Sequence, residues 1–127
     1  MMNVDHNLLS GVRVLLVEDD PLLIMDIEWT LAAAGAVVVD ACRTVRDAIW
    51  RSNRADFSVA ILDFRLGSET VSPLARHLAD RGVPFVIYTG QGKDAAGLAE
   101  WVDRSIVEKP APPQALVSAV RDALASP

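Results

Sequence analysis

Apolar runs broken by polar turns and followed by amphipathic stretches recur along the chain. The first run, Val12 to Val17, is valine and leucine apart from Arg13 and predicts a strand. Asp20-Pro21 then supplies an acid for an N-cap and a proline for the first helical position. Leu23, Ile27, Leu31 and Ala34 follow at helical spacing, and Gly35 closes the helix. A second strand is expected over Ala36 to Asp40. A second helix opens at Thr44, three residues ahead of Asp47, and ends near Asn53 or Arg54. Ser58 to Leu62 reads as a third strand, the following FRLGSET as a loop, and Ser72-Pro73 to Gly82 as a third helix. Pro84 to Tyr88 is the fourth strand. The glycines of TGQGKDAAG weaken the fourth helix expected between Lys93 and Arg104. Ser105 to Val107 is the fifth strand, and Pro113 begins a fifth helix with Leu116, Val117, Val120 and Leu124 on one face.

Strands that read as nearly continuous apolar runs are buried on both faces, and their alternation with helices implies a parallel sheet with right-handed crossovers. The expected fold is therefore a doubly wound, flavodoxin-like α/β domain of five strands and five helices. Residues 1–10 read as an N-terminal tail and 11–127 as the domain. A chain of 127 residues suffices for one core, and 51% hydrophobic against 23% charged residues is globular rather than disordered composition. No apolar run approaches the ~18 residues needed to span a bilayer. A net charge of −5 argues against a nucleic-acid partner, which calls for a clustered basic face. The single Cys42 excludes an internal disulfide and any multi-cysteine metal site, and the N-terminus lacks the basic region of a secretion signal, so a cytoplasmic location is expected.

In a doubly wound sheet, ligands bind at the carboxyl ends of the strands beside the point where strand order reverses. The residues there are Glu18 and Asp19, Asp63, Thr89 and Lys109. With strand order 2-1-3-4-5, the ends carrying Glu18, Asp19 and Asp63 are neighbours about 4.8 Å apart. Three carboxylates in one cleft repel each other unless a cation neutralises them, and oxygen donors suit Mg²⁺ or Mn²⁺. Lys109 adds a fixed cation and Thr89 a hydroxyl donor, a set suited to a phosphoryl group, for which Asp63 is the candidate nucleophile.

The segments VLLVEDDP, AILDFRLG, YTG and EKP, at the ends of strands 1, 3, 4 and 5, resemble the conserved stretches of response-regulator receiver domains of the CheY type. The resemblance covers Val12 to Leu124. It implies that Asp63 accepts a phosphoryl group from a histidine kinase or histidine phosphotransfer protein. It also implies that Asp19 ligates Mg²⁺ directly, Glu18 mostly through water, and the backbone carbonyl of Arg65 completes the site. Lys109 and Thr89 would grip the phosphoryl oxygens, and Lys109-Pro110 would be a cis bond, which only an X-Pro pair adopts at low cost. On this reading the chain is a single-domain monomer or weak dimer that signals through protein contacts or passes phosphate on, and it is not an enzyme. PFVIYTG resembles the Pro-Phe-x-Phe-Ala-Thr-Gly segment of a receiver subgroup paired with HWE-type and HisKA2-type histidine kinases, in which signalling runs through a pliable helix 4. Two positions depart from the common pattern. Ile106 stands where many receivers have an aromatic residue, and the loop after Asp63 lacks a proline.

Other readings compete. A pseudo-receiver would bind a partner without phosphate. An aspartate-nucleophile phosphatase needs a second Asp two residues on, where this chain has Arg65. A flavodoxin needs a phosphate loop where Glu18, Asp19 and Asp20 would repel FMN. Asp20 is assigned to capping, His6 and His77 to solvent, and Trp29, Trp50 and Trp101 to packing or partner contact. Cys42 is read as a half-buried thiol.

Overall fold

The computed structural model describes residues 7–90 and 97–125. The elements in chain order are β1 (Arg13–Val17), α1 (Pro21–Ala33), β2 (Val37–Cys42), α2 (Val45–Ser52), β3 (Val59–Leu62), β4 (Arg65–Leu66), β5 (Glu69–Thr70), α3 (Ser72–Asp80), β6 (Phe85–Thr89), a 3₁₀ turn (Leu98–Trp101), β7 (Ser105–Glu108) and α4 (Pro113–Ala125). Five strands form one parallel sheet in the order β2-β1-β3-β6-β7. Counting only these five, this is the 2-1-3-4-5 order of a flavodoxin-like fold.

Period-two alternation assigns side chains to the two faces of the sheet. Val14, Leu16, Val59, Ile61, Val86 and Tyr88 pack with Ile27 and Leu31 of α1 and Val117 and Val120 of α4. Leu15, Val17, Ala60, Leu62, Phe85 and Ile87 pack with α2, α3 and the 3₁₀ turn. The central strands β1, β3 and β6 are buried along almost their whole length, whereas the edge strands β2 and β7 are partly exposed.

Three expectations change. Among the described residues there are four α-helices, not five. The fourth expected helix is represented by the single turn Leu98–Trp101, and the part of it at residues 93–96 lies outside the described residues. Gly97 has φ +87, a left-handed conformation that a right-handed helix cannot continue through, so the turn Leu98–Trp101 starts afresh after it. FRLGSET contains a small antiparallel hairpin rather than plain loop: Arg65 pairs with Thr70 and Leu66 with Glu69. Gly67, at φ +62, takes the first of the two turn positions, and the side chain of Leu66 is buried. Finally, Leu9 lies inside the segment read as a tail, yet it is 1% exposed and its N–H donates to the Ala34 carbonyl at 2.8 Å. The packed unit thus begins before residue 11, because a single leucine can close the end of the α1 face without any periodic signal. No helix among the described residues is long and apolar enough to cross a membrane.

Candidate phosphoacceptor and metal cleft

The cleft is built by the way β1 hands over to α1. Asp20 has extended backbone and its side chain accepts from the Leu22 N–H at 3.0 Å, capping a helix that begins at Pro21. So tight a start leaves Glu18 and Asp19 on the three-residue step between strand and helix. The Glu18 N–H donates to the Cys42 carbonyl at 2.9 Å, and the Asp63 N–H to the Val17 carbonyl at 2.9 Å, which holds the ends of β2, β1 and β3 side by side.

Glu18, Asp19 and Asp63 each offer a carboxylate oxygen, and these atoms lie within 4.8 Å of one another. Glu18 is the deepest, 2% exposed. Its Oε2 accepts from the Asp20 N–H at 3.1 Å and its Oε1 from Lys109 Nζ at 3.2 Å. Lys109 Nζ also lies 3.4 Å from Asp63 Oδ2, and the Asp63 side chain keeps 12% exposure, so the candidate acceptor is the reachable member of the pair. The Gly67 N–H donates to Asp19 Oδ2 at 3.1 Å, joining the β4–β5 hairpin to the cleft. Burial pushes the Glu18 carboxyl up to about 7. The Asp20 N–H works against this, the Asp63 charge adds to it, and Lys109 opposes it again. One lysine thus faces three acids, and the cleft is short of positive charge.

Thr89 ends β6 and is fully buried, and its carbonyl accepts the Lys109 N–H at 2.8 Å. It therefore joins the cluster through the main chain of the lysine. The Lys109–Pro110 bond is cis. Arg65 opens the hairpin two residues past Asp63. Hard oxygen donors within this spread suit a small divalent cation such as Mg²⁺ better than a soft metal, so the residues present fit that ion.

Sequence reading passed over two neighbours of the site. Phe64, directly after Asp63, is fully buried, and a Cβ at Gly97 would lie 3.3 Å from its ring. Arg43, just past the end of β2, donates from Nη2 to the Asp19 carbonyl oxygen at 3.0 Å. A strand-end position in a doubly wound sheet was the available signal for Arg43; it went unused because β2 runs to Cys42 rather than stopping at Asp40. For the same reason Cys42 is fully buried, not half-buried, and its thiol is pushed up to about 12, chiefly by burial. Trp101 is 5% exposed, edge-on to Phe85 with ring centroids 5.7 Å apart, and its Nε1–H donates to Ser72 Oγ at 3.3 Å. His77 Nε2 bonds Asn53 Oδ1 at 2.9 Å, and His6 lies outside the described residues.

The family model of the response regulator receiver domain matches residues 14–121. SdrG from Sphingomonas melonis Fr1 is similar over 91% of this chain and 97% of its own, at 34% identity and a TM-score of 0.79. A response regulator receiver protein from Sinorhizobium medicae WSM419 is similar over 91% and 96%, at 28% identity and a TM-score of 0.72. The response regulator PhyR from Brucella abortus shares the fold at 23% identity and a TM-score of 0.76, and this chain spans about half of its length. No curated relative matches. The chain belongs to the response regulator receiver domain family, whose members bind Mg²⁺ at an acidic pocket and interact with histidine kinases and downstream targets.

Proposed function

We propose that this receiver domain is phosphorylated on Asp63 by a histidine kinase or histidine phosphotransfer protein, with Mg²⁺ held by Glu18, Asp19, Asp63 and the Arg65 carbonyl. The observation that carries this reading is Lys109 Nζ bridging Glu18 and Asp63 at 3.2 and 3.4 Å beside a three-carboxylate cluster. An ionised Asp63 needs no base. One of its oxygens attacks phosphorus in line, the bond from phosphorus to the donor nitrogen breaks, and the electron pair leaves with the imidazole. Lys109 offers the incoming phosphoryl oxygens a charged donor, and Thr89 a hydroxyl. The metal, when bound, supplies the positive charge that one lysine cannot.

A protein partner is also supported by α1. Leu22, Met25 and Trp29, spaced three and four residues apart on its outer face beside the cleft, are 77%, 64% and 82% exposed. Exposed apolar residues gathered on one face mark protein contact more often than isolated ones do. The segment PFVIYTG supports assignment to the subgroup paired with HWE-type and HisKA2-type kinases. The output is contact with a downstream protein or onward transfer of phosphate.

The test is incubation with acetyl phosphate and Mg²⁺, read by intact mass. The expected result is addition of one phosphoryl group that does not form when the metal is chelated before the donor is added and is absent in Asp63→Asn. A chain that never gains the group, and whose amide spectrum ignores beryllofluoride, would be a pseudo-receiver. Steady turnover of a phosphomonoester would instead indicate a phosphatase.

A further inference from the structure

We propose that Arg43 is a positioning residue for Asp19, fixing that carboxylate for the divalent cation; the inference rests on the receiver reading of the cleft. Asp19 sits on the short step between β1 and α1, half-buried, where a side chain has rotamer freedom to lose. Two bonds from elsewhere in the chain hold it. Arg43 Nη2, from the connection between β2 and α2, takes its carbonyl oxygen at 3.0 Å, and the Gly67 N–H, from the β4–β5 hairpin, takes its Oδ2 at 3.1 Å. The residue is thereby gripped by main chain on one side and by carboxylate on the other.

The choice of acceptor is informative. With three carboxylates close by, an arginine serving to neutralise charge would pair with one of them. Among the described residues Arg43 forms no ion pair and bonds a main-chain oxygen instead. That leaves the acids to a cation while stiffening the step that carries one of them. Partners that hydrogen-bond a ligating group directly are typically worth ten- to a hundred-fold in metal affinity, and Arg43, acting on the main chain of the ligand, belongs at the lower end of that range. The guanidinium charge acts in the opposite sense, since it repels a divalent cation through space. The sign of the effect on Mg²⁺ binding therefore separates anchoring from simple charge.

The experiment is calorimetric titration of the full chain with Mg²⁺, comparing wild type, Arg43→Met and Arg43→Lys. Melting in EDTA and the Gly67 amide resonance serve as second readouts. Anchoring predicts about a tenfold weaker Mg²⁺ affinity in Arg43→Met. It also predicts partial recovery in Arg43→Lys, whose ammonium can still reach the carbonyl, and a shifted Gly67 amide at an almost unchanged EDTA melting temperature. Equal or tighter Mg²⁺ binding in Arg43→Met overturns the proposal. So does a loss matched by a fall in EDTA melting temperature and unrelieved by lysine, which would make Arg43 merely structural. Absence of Mg²⁺ binding in the wild type would instead bring down the receiver reading of the cleft, and this inference with it.

Discussion

At the carboxyl edge of the sheet the β1–β3 side is tied together by polar contacts, whereas the flank beyond β6, which reaches from Gly97 beside Phe64 to Trp101 against Phe85 at the start of β6, is packed chiefly by apolar ones. On the first side Glu18, Asp19 and Asp63 crowd together, bonded by Lys109 and the N–H groups of Asp20 and Gly67. On the second, Leu98 and Trp101 sink into the α3 face, Phe85 meets Trp101 edge-on, and Gly97 lies against Phe64. The two sides meet at consecutive residues: Asp63 belongs to the polar side and Phe64 to the apolar one. The difference teaches that charged groups with too few partners accumulate where a ligand can complete them, while the neighbouring flank is closed chiefly by burial.

Substitutions should separate the two sides. The largest stability effect is expected from Trp101→Ala, which opens a cavity under the 3₁₀ turn and should cost about 3–5 kcal/mol in urea denaturation. Trp101→Phe, which keeps the ring contact and loses the bond to Ser72, should cost only about 1 kcal/mol. Next comes the polar side, where Mg²⁺ at a hundred times its Kd should stabilise the wild type by about 2.7 kcal/mol. Asp19→Asn should lose most of that gain while melting normally in EDTA. An unchanged wild-type melting temperature in Mg²⁺ would erase the contrast between the sides. Gly97→Ala should cost about 1–2 kcal/mol, because alanine is strained at positive φ and its Cβ would press on Phe64. The smallest effect belongs to Arg76→Ala, which removes the exposed pair with Glu100 at 3.1 Å and should cost about 0.2–1 kcal/mol by the same denaturation assay. A larger loss there would mean that a surface ion pair, rather than Leu98 and Trp101, fastens the turn.

Local signals made much of the fold legible. Asp20-Pro21 specifies a helix start that needs no tertiary help, and the apolar runs of β1, β3 and β6 announce strands covered on both faces. The candidate cleft was legible because topology carries strand ends to one edge, so position after a strand was enough to nominate Glu18, Asp19, Asp63, Thr89 and Lys109. Leu9, the β4–β5 hairpin and the 3₁₀ turn that stands among the described residues of the fourth expected helix were not legible. Each depends on a contact far along the chain: Leu9 with the α1 face, Asp19 with Gly67, Gly97 with Phe64. Composition around Gly97 weakened a helix without saying what would replace it, and the replacement is set by burial of Leu98 and Trp101.

By itself the sequence determined the alternation of strands and helices, the order of the acids and the lysine, and the caps that begin α1 and α2, because each follows from neighbours within a few residues. Tertiary structure decided that Lys109 reaches both Glu18 and Asp63, that Glu18 is buried deeply enough to push its carboxyl up to about 7, and that Arg43 grips Asp19. The physical reason is that hydrogen bonds and desolvation act over a few ångströms in space, and Coulomb interactions in salt over about ten. Only packing brings together groups separated by as many as 91 residues along the chain.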